Sequence, residues 1–235
     1  MRPAPQSNSP AVEASLDPDP DLPFLDRRAA GVSLARVLRS TPDTIVVGVA
    51  RGGVIVAAAV AEALGVPLDV LVIRKVGHPM QPELAIGAVS AHGEVVATEH
   101  SAGFAQAVAQ SLFNRTSQQA RQLEERLRGD KPALSLAGRP VIIVDDGIAT
   151  SATMMCAISE ARKLGATHIR CAVPVAPADC VMHLRPFCDE LVVLVASREL
   201  PFAVGRYYFM FQEVADARVR DELARARARI DGEPK

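Results

Sequence analysis

The chain reads as an α/β protein built on a mainly parallel twisted sheet flanked by helices. Three observations carry this reading. Short runs rich in Val and Ile alternate with helical patterns across residues 44–196, the order that produces strand–helix–strand crossovers. The runs lack the polar alternation of a half-exposed strand, so they are expected to be covered on both faces, as parallel strands are. The 235 residues are 49% hydrophobic with a formal net charge of −1, which suits one domain with a substantial core.

Residues 1–22 hold Pro, Ser, Asp and Ala without apolar periodicity and are expected to be a disordered tail, with the folded domain over 23–235. The run Asp26-Arg27-Arg28-Ala29-Ala30-Gly31 leads into a helix to about residue 38, with Val32, Ala35 and Leu38 at core spacing. Residues 44–49 read as a buried strand, 54–64 as an apolar helix closed by Gly65, and 67–74 as the next strand. Residues 76–93 carry Gly and Pro without periodicity and are expected to form a long flexible loop; such loops in compact domains are lids or disordered. A short strand is expected over 93–97, then a long polar helix or helix pair over 102–128, with Glu124, Glu125, Arg126 and Arg128 on a solvated face. The remaining elements are a strand at 141–144, a helix at 152–164, a strand at 169–173 ending at Pro174, a short helix at 179–184 and a last core strand at 190–196. Beyond Pro201 come an aromatic cluster, Phe202, Tyr207, Tyr208, Phe209 and Phe211, and a charged helix over 217–229.

The most informative segment is 141–153, Val-Ile-Ile-Val-Asp-Asp-Gly-Ile-Ala-Thr-Ser-Ala-Thr. Asp145 and Asp146 stand at the carboxyl end of a buried strand, where open α/β sheets bind ligands. The following helix N-terminus offers free N–H groups and a positive dipole end to a phosphate, and Thr150, Ser151 and Thr153 add hydroxyl donors. Two carboxylates beside an anion cradle suit sugar hydroxyls or a magnesium ion. An ordinary Asp-capped turn is the weaker reading, since a cap needs one Asp rather than two before a hydroxyl-rich loop. A Walker P-loop is excluded by the absence of Gly-x-x-x-x-Gly-Lys-Ser/Thr.

Two other strand ends carry cations. Arg51 with Gly52 and Gly53 follows the first core strand; the glycines allow close backbone approach and Arg51 can grip a phosphate bidentately. Arg74 and Lys75 end the next strand on the same side of the sheet. An exposed loop role is favoured for His78 over proton donation, and a structural role for Glu83 over metal ligation. The 202–211 aromatics are expected to pack on the core rather than stack a base.

The 141–153 segment resembles the phosphoribosyl-pyrophosphate (PRPP) signature of type I phosphoribosyltransferases. The resemblance implies that Asp145 and Asp146 hold ribose hydroxyls and that Ala149, Thr150, Ser151, Ala152 and Thr153 hold the 5′-phosphate. It further implies that Arg51, Gly52 and Gly53 bind pyrophosphate, that Arg74 and Lys75 neutralise it as it leaves, and that magnesium is held mainly through PRPP near Asp145 and Asp146. The implied reaction passes the phosphoribosyl group to a small nitrogenous acceptor, in a homodimer with a small C-terminal hood over 200–230. Ser151 stands where many members have Gly, and Ala149 where purine-using members place an acid that contacts the base. Residues 74–88 and 202–208 are similar to a bacterial subgroup without an assigned acceptor, sometimes fused to hydrolase domains; in all the resemblance covers about 24–225. The rival reading is a non-catalytic PRPP or nucleotide sensor, since a fold and a cradle do not prove turnover. A sugar-phosphate hydrolase is weaker, because no strand-end Asp-x-Asp or Cys-x₅-Arg is present.

The near-neutral charge argues against nucleic-acid and membrane-surface partners. The apolar run 45–60 is broken by Arg51, Gly52 and Gly53, and no signal-peptide pattern opens the chain. Cys156, Cys171, Cys180 and Cys188 form no C-x-x-C pair, and three of them sit in apolar patterns as expected of buried free thiols. A reducing cytoplasmic setting is the expectation. The five histidines show no zinc spacing.

Overall fold

The computed structural model describes residues 11–14 and 22–232, without the side chains of 11–14, 82 and 83. The elements run β1 (Ala11–Ala14), α1 (Arg27–Val37), β2 (Ile45–Val49), α2 (Gly52–Leu64), β3 (Leu68–Leu71), β4 (Ile73–His78), β5 (Gln81–Ser90) and β6 (Val95–Ala97). They continue as α3 (Gln106–Arg128), β7 (Pro140–Val144), α4 (Ser151–Lys163), β8 (His168–Pro177), α5 (Ala178–Leu184), β9 (Glu190–Ser197) and α6 (Asp216–Asp231).

Six strands form one sheet in the order β1-β9-β8-β7-β2-β3, and every pairing is parallel. The expected parallel architecture is therefore present. Side chains alternate across it, as the strand period requires. Ile45, Val47, Ile143, Cys171 and Val193 pack with α4 and α5 on one face. Val46, Val70, Ile142, Ala172 and Val192 pack with α1, α2, α3 and α6 on the other. Apolar residues thus follow one another without a polar break because each face has its own helix layer.

The chain winds outward from the centre in both directions. From β2 it crosses through α2 to β3, and from β7 through α4 to β8, so β2 and β7 lie side by side at the point where the order reverses. Gly48 pairs with Val144, which sets Val49 level with Asp145 and Ala50 level with Asp146. Both following loops therefore open at one height over one crevice, where such sheets bind ligands. Gly65 closes α2 at φ 67°, a left-handed conformation that favours glycine.

Glu124 and Arg128, expected on a solvated face, are instead largely buried, with Arg128 paired to Asp69 and Glu124, and four expectations about elements change. The flexible loop expected at 76–93 is instead an antiparallel hairpin, β4 on β5, extended by β6. Gly77, Pro79, Pro82 and Gly87 hide the strand period, and a register shift around Gly77 breaks it further. What holds the hairpin is distant in sequence: Val76, Ile86 and Val89 bury against Phe113 of α3. The strand expected over 67–74 divides between β3 and β4, which belong to different sheets. The strand expected to end at Pro174 runs on to Pro177; its last partner on β7 is Ala172, so Pro174 lies where β9 alone continues beside it and a missing N–H is tolerated. Where a tail was expected over 1–22, Ala11–Ala14 pairs with β9 as an edge strand, and residues 1–10 and 15–21 lie outside the described residues.

The C-terminal segment folds back on the N-terminal one. Phe24 bridges to Tyr208, and the N–H groups of Phe209 and Met210 donate to the carbonyls of Phe24 and Leu25 at 2.8 and 2.9 Å. Tyr207, Tyr208 and Phe211 pack with Phe24 and Ala30 as expected, Phe202 lies against the Tyr207 ring, and Phe209 departs from the expectation by standing exposed. Cys156, Cys171 and Cys188 are buried free thiols. Among the described residues no helix is long and apolar enough to cross a membrane.

Candidate active site

Thr150 is the N-cap of α4, yet its side chain makes no capping hydrogen bond. The first turn of α4 therefore keeps donors that an anion can take. The Thr153 hydroxyl oxygen is buried in the same turn with no partner among the described residues. A buried unsatisfied hydroxyl is costly and asks for a ligand that fills its hydrogen-bonding capacity. A cleft of about 340 Å³ opens over this turn, lined by Asp145, Asp146, Ala149, Thr150, Thr153 and Lys75 among others. Ser151 is half-buried and Ala152 buried beneath it.

The acid pair is asymmetric. Burial, and then the charge of Asp146, push the Asp145 carboxyl well above the usual carboxylate range, with Lys75 opposing. The Asp145 Oδ1 accepts the Asp146 N–H at 2.8 Å. Asp146 Oδ2 is held at 2.7 Å by Arg27 Nε, in a pair whose side chains are only 12% and 16% exposed. The Asp146 carbonyl accepts the Tyr208 hydroxyl at 2.5 Å. Burial, then Asp146, push the Tyr208 phenol upward, so it keeps the proton it donates.

The loop after β2 interlocks with the acids. A Cβ on Gly52 would lie 2.0 Å from Asp146 Oδ2, and one on Gly53 would lie 2.8 Å from the Asp145 Cα. Only glycine lets α2 start this close to the acid pair. The Ala50–Arg51 peptide is cis. A second cleft of about 490 Å³ adjoins the first and is lined by Arg27, Arg51, Gly52, Arg74, Lys75 and Glu213. Ala50, Ile73 and Lys75 border both clefts, so the two are continuous.

All the residues expected to form a site thus gather at the β2–β7 crevice. Arg51 differs in one respect from the expectation of a free cation. Its Nη1 pairs with Glu213 at 2.8 Å and its Nε with Asp216 at 2.9 Å. Arg74 and Lys75 make no hydrogen bond or ion pair among the described residues, which leaves two cations open to a ligand. His78 accepts the Met80 N–H at 3.1 Å and packs on Phe104, a turn-forming role. The Glu83 side chain lies outside the described residues.

Arg27 and Tyr208 were not anticipated from sequence. Arg27 reaches Asp146, donates to the Gln212 carbonyl at 2.8 Å and lies 3.8 Å from the Phe211 ring centroid. One signal was present: Arg27 and Arg28 open a helix, where the dipole disfavours cations, so something other than helix stability places them there.

Comparison with known proteins gives a consistent result. A family model described as the phosphoribosyl transferase domain matches residues 29–197. Two Mycobacterium tuberculosis proteins, "Putative phosphoribosyl transferase MT0597" (strain CDC 1551 / Oshkosh) and "Putative phosphoribosyl transferase Rv0571c" (strain ATCC 25618 / H37Rv), are each 42% identical over 212 residues, 86% of this chain and 47% of theirs. The chain thus spans about half the length of these curated relatives. The crystal structure of TT1426 from Thermus thermophilus is 39% identical, with a TM-score of 0.70, covering 86% of this chain and 98% of that one.

Proposed function

Because this chain belongs to the phosphoribosyl transferase family, a family of pentosyltransferases, we propose that it moves the 5-phosphoribosyl group of PRPP onto a nitrogen nucleophile and releases pyrophosphate. The observation that carries the reading is the convergence at one crevice of the acid pair, the open N-terminus of α4 with its unpartnered Thr153 hydroxyl, and the unpaired cations Arg74 and Lys75. In the reaction the nitrogen lone pair forms a bond to C1 of the ribose, the C1–O bond breaks, and the diphosphate leaves with its electron pair. Positive charge grows on the sugar while negative charge grows on the leaving group, so positioning and electrostatics are the means of catalysis.

The α4 turn, Ala149 to Thr153, holds the 5′-phosphate and fixes the sugar by a group remote from the reacting carbon. Asp145 and Asp146 receive the ribose hydroxyls. Lys75 and Arg74 face the departing charge, and Arg51 joins them by exchanging Glu213 for the diphosphate. Glu213 is 87% exposed, and so open an ion pair is worth little, which keeps that exchange cheap.

Magnesium fits this site as a substrate-borne ion. Among the described residues no group of three or more His, Cys, Asp or Glu can hold a metal, and a hard cation wants about six oxygens. Asp145 and Asp146 would complete a shell supplied mostly by PRPP. When bound, the ion supplies positive charge to the diphosphate.

Titration calorimetry with PRPP and magnesium tests the assignment. Asp146→Asn is expected to weaken binding by about 1–3 kcal/mol, the scale for losing a charged hydrogen bond. Unchanged affinity in both Asp145→Asn and Asp146→Asn would end it.

A further inference from the structure

The acceptor can be narrowed, on the premise of the transfer reaction above. With the acids and the α4 turn assigned to the phosphoribosyl group and Lys75 to the leaving diphosphate, the remaining walls of the smaller cleft are chiefly Val49, Ile73, Ile148, Met154, Val204 and Phe211. Their side chains carry no hydrogen-bonding group beyond the weak thioether of Met154. Much of the backbone nearby is already engaged. The Ile148 N–H donates to the Val175 carbonyl at 3.0 Å, and the Asp146 carbonyl accepts Tyr208. The carbonyls of Ala203 and Gly205 accept the N–H groups of Arg206 and Tyr208 at 3.1 and 3.3 Å.

Phe211 has no free face. The Arg27 guanidinium lies 3.8 Å from its centroid, and the Tyr208 ring stacks on it at 4.8 Å and 28°. Two such groups do not fit on one side of a ring, so Phe211 presents its edge to the cleft. Val204 presses down on Gly147, where an added Cβ would fall 2.5 Å from Val204 Cγ1. The side chains left to face an acceptor are therefore chiefly apolar.

We propose that the acceptor is a planar, weakly polar aromatic nitrogen nucleophile, an arylamine or a benzimidazole-type ring, and not a purine or pyrimidine base. Nucleobases carry amino and carbonyl groups around their edges. In this cleft those groups would lose water without gaining partners, at a loss of roughly tenfold or more for each. An arylamine brings only the attacking nitrogen, which bonds to C1 and passes its surplus proton to the departing diphosphate or to water, whereas a benzimidazole-type ring attacks through its unprotonated nitrogen and loses the proton carried by the other.

The test is pyrophosphate release at saturating PRPP and magnesium with aniline and benzimidazole, beside adenine, guanine and uracil, with PRPP affinity titrated on the same protein. The expected result is a kcat/KM for aniline or benzimidazole at least about tenfold above every nucleobase, the scale on which an apolar pocket discriminates. Val204→Thr, which keeps the shape and adds a hydroxyl, should narrow that ratio severalfold. A nucleobase that matches or exceeds both aromatic amines overturns the proposal, as does tight PRPP binding without turnover on either amine. Failure to bind PRPP at all would instead remove the transferase reading, and the acceptor class with it.

Discussion

Removing the charge from Asp145 is expected to stabilise the protein while weakening its ligand binding. Burial and then Asp146 raise this carboxyl in the folded state, so the folded protein holds the proton longer than the unfolded chain does. Stability from this group is full below the ordinary carboxylate range and falls as pH rises through the raised value. Melting temperature measured against pH should show that decline in the native chain and a flatter curve in Asp145→Asn, whose amide oxygen can still accept the Asp146 N–H. Equal slopes would show that Asp145 does not titrate in the way its surroundings require. The neighbouring Asp146 has Arg27 as a counter-ion. Two adjacent acids with one cation between them are a poor folding choice, and the crevice position explains why they stand there. The same logic made this pair legible in sequence. Two carboxylates at the end of a buried strand are out of place unless a ligand receives them. Arg27 was not legible, because the partner it meets is 119 residues away and no local period encodes that contact.

At the scale of elements, α4 and the β4–β5 hairpin give contrasting lessons. The strand, loop and helix around 141–163 are contiguous in sequence, so apolar run, acids, hydroxyls and helix onset could be read directly. The Thr153 hydroxyl is buried without a partner inside that helix. Thr153→Val should therefore leave stability unchanged or raise it, yet lower ribose 5-phosphate affinity by about 1–2 kcal/mol, the scale of one hydrogen bond to a charged group. Thermal unfolding with ligand titration separates the two effects. A purely structural Thr153 would show loss of stability and no loss of affinity. In sequence the hairpin reads as a loop because its glycines and prolines erase the period of two, and the helix that covers it lies downstream. Its burial against Phe113 predicts slow amide exchange in β4 and in 86–90 without any ligand. Fast exchange throughout 76–93 would restore the flexible loop. The Lys75 ammonium thus sits on an ordered strand rather than on a segment that must first fold over the substrate.

At the scale of the molecule, one topological feature organises the rest. The sheet reverses between β2 and β7, and that reversal sets the 50–53 loop beside the 145–153 loop. The alternation of strands and helices made the parallel sheet readable, but the strand order follows from packing of two helix layers and not from any local pattern. Residues 202–216 close the crevice from the far end of the chain, where Tyr208 grips the Asp146 carbonyl and Glu213 and Asp216 hold Arg51. Those contacts join the two ends of the domain at the site, so a ligand there reports on the whole fold. The central claim is that this crevice carries out transfer and does not merely bind PRPP. The most direct measurement is pyrophosphate release from PRPP and magnesium by the native chain and by Lys75→Ala, with PRPP affinity determined on the same samples. A group that acts on developing charge should lower kcat by about tenfold or more while changing PRPP affinity much less. Native protein that binds PRPP but releases no pyrophosphate with any nitrogen acceptor, or a Lys75→Ala variant with unaltered turnover, would contradict the account.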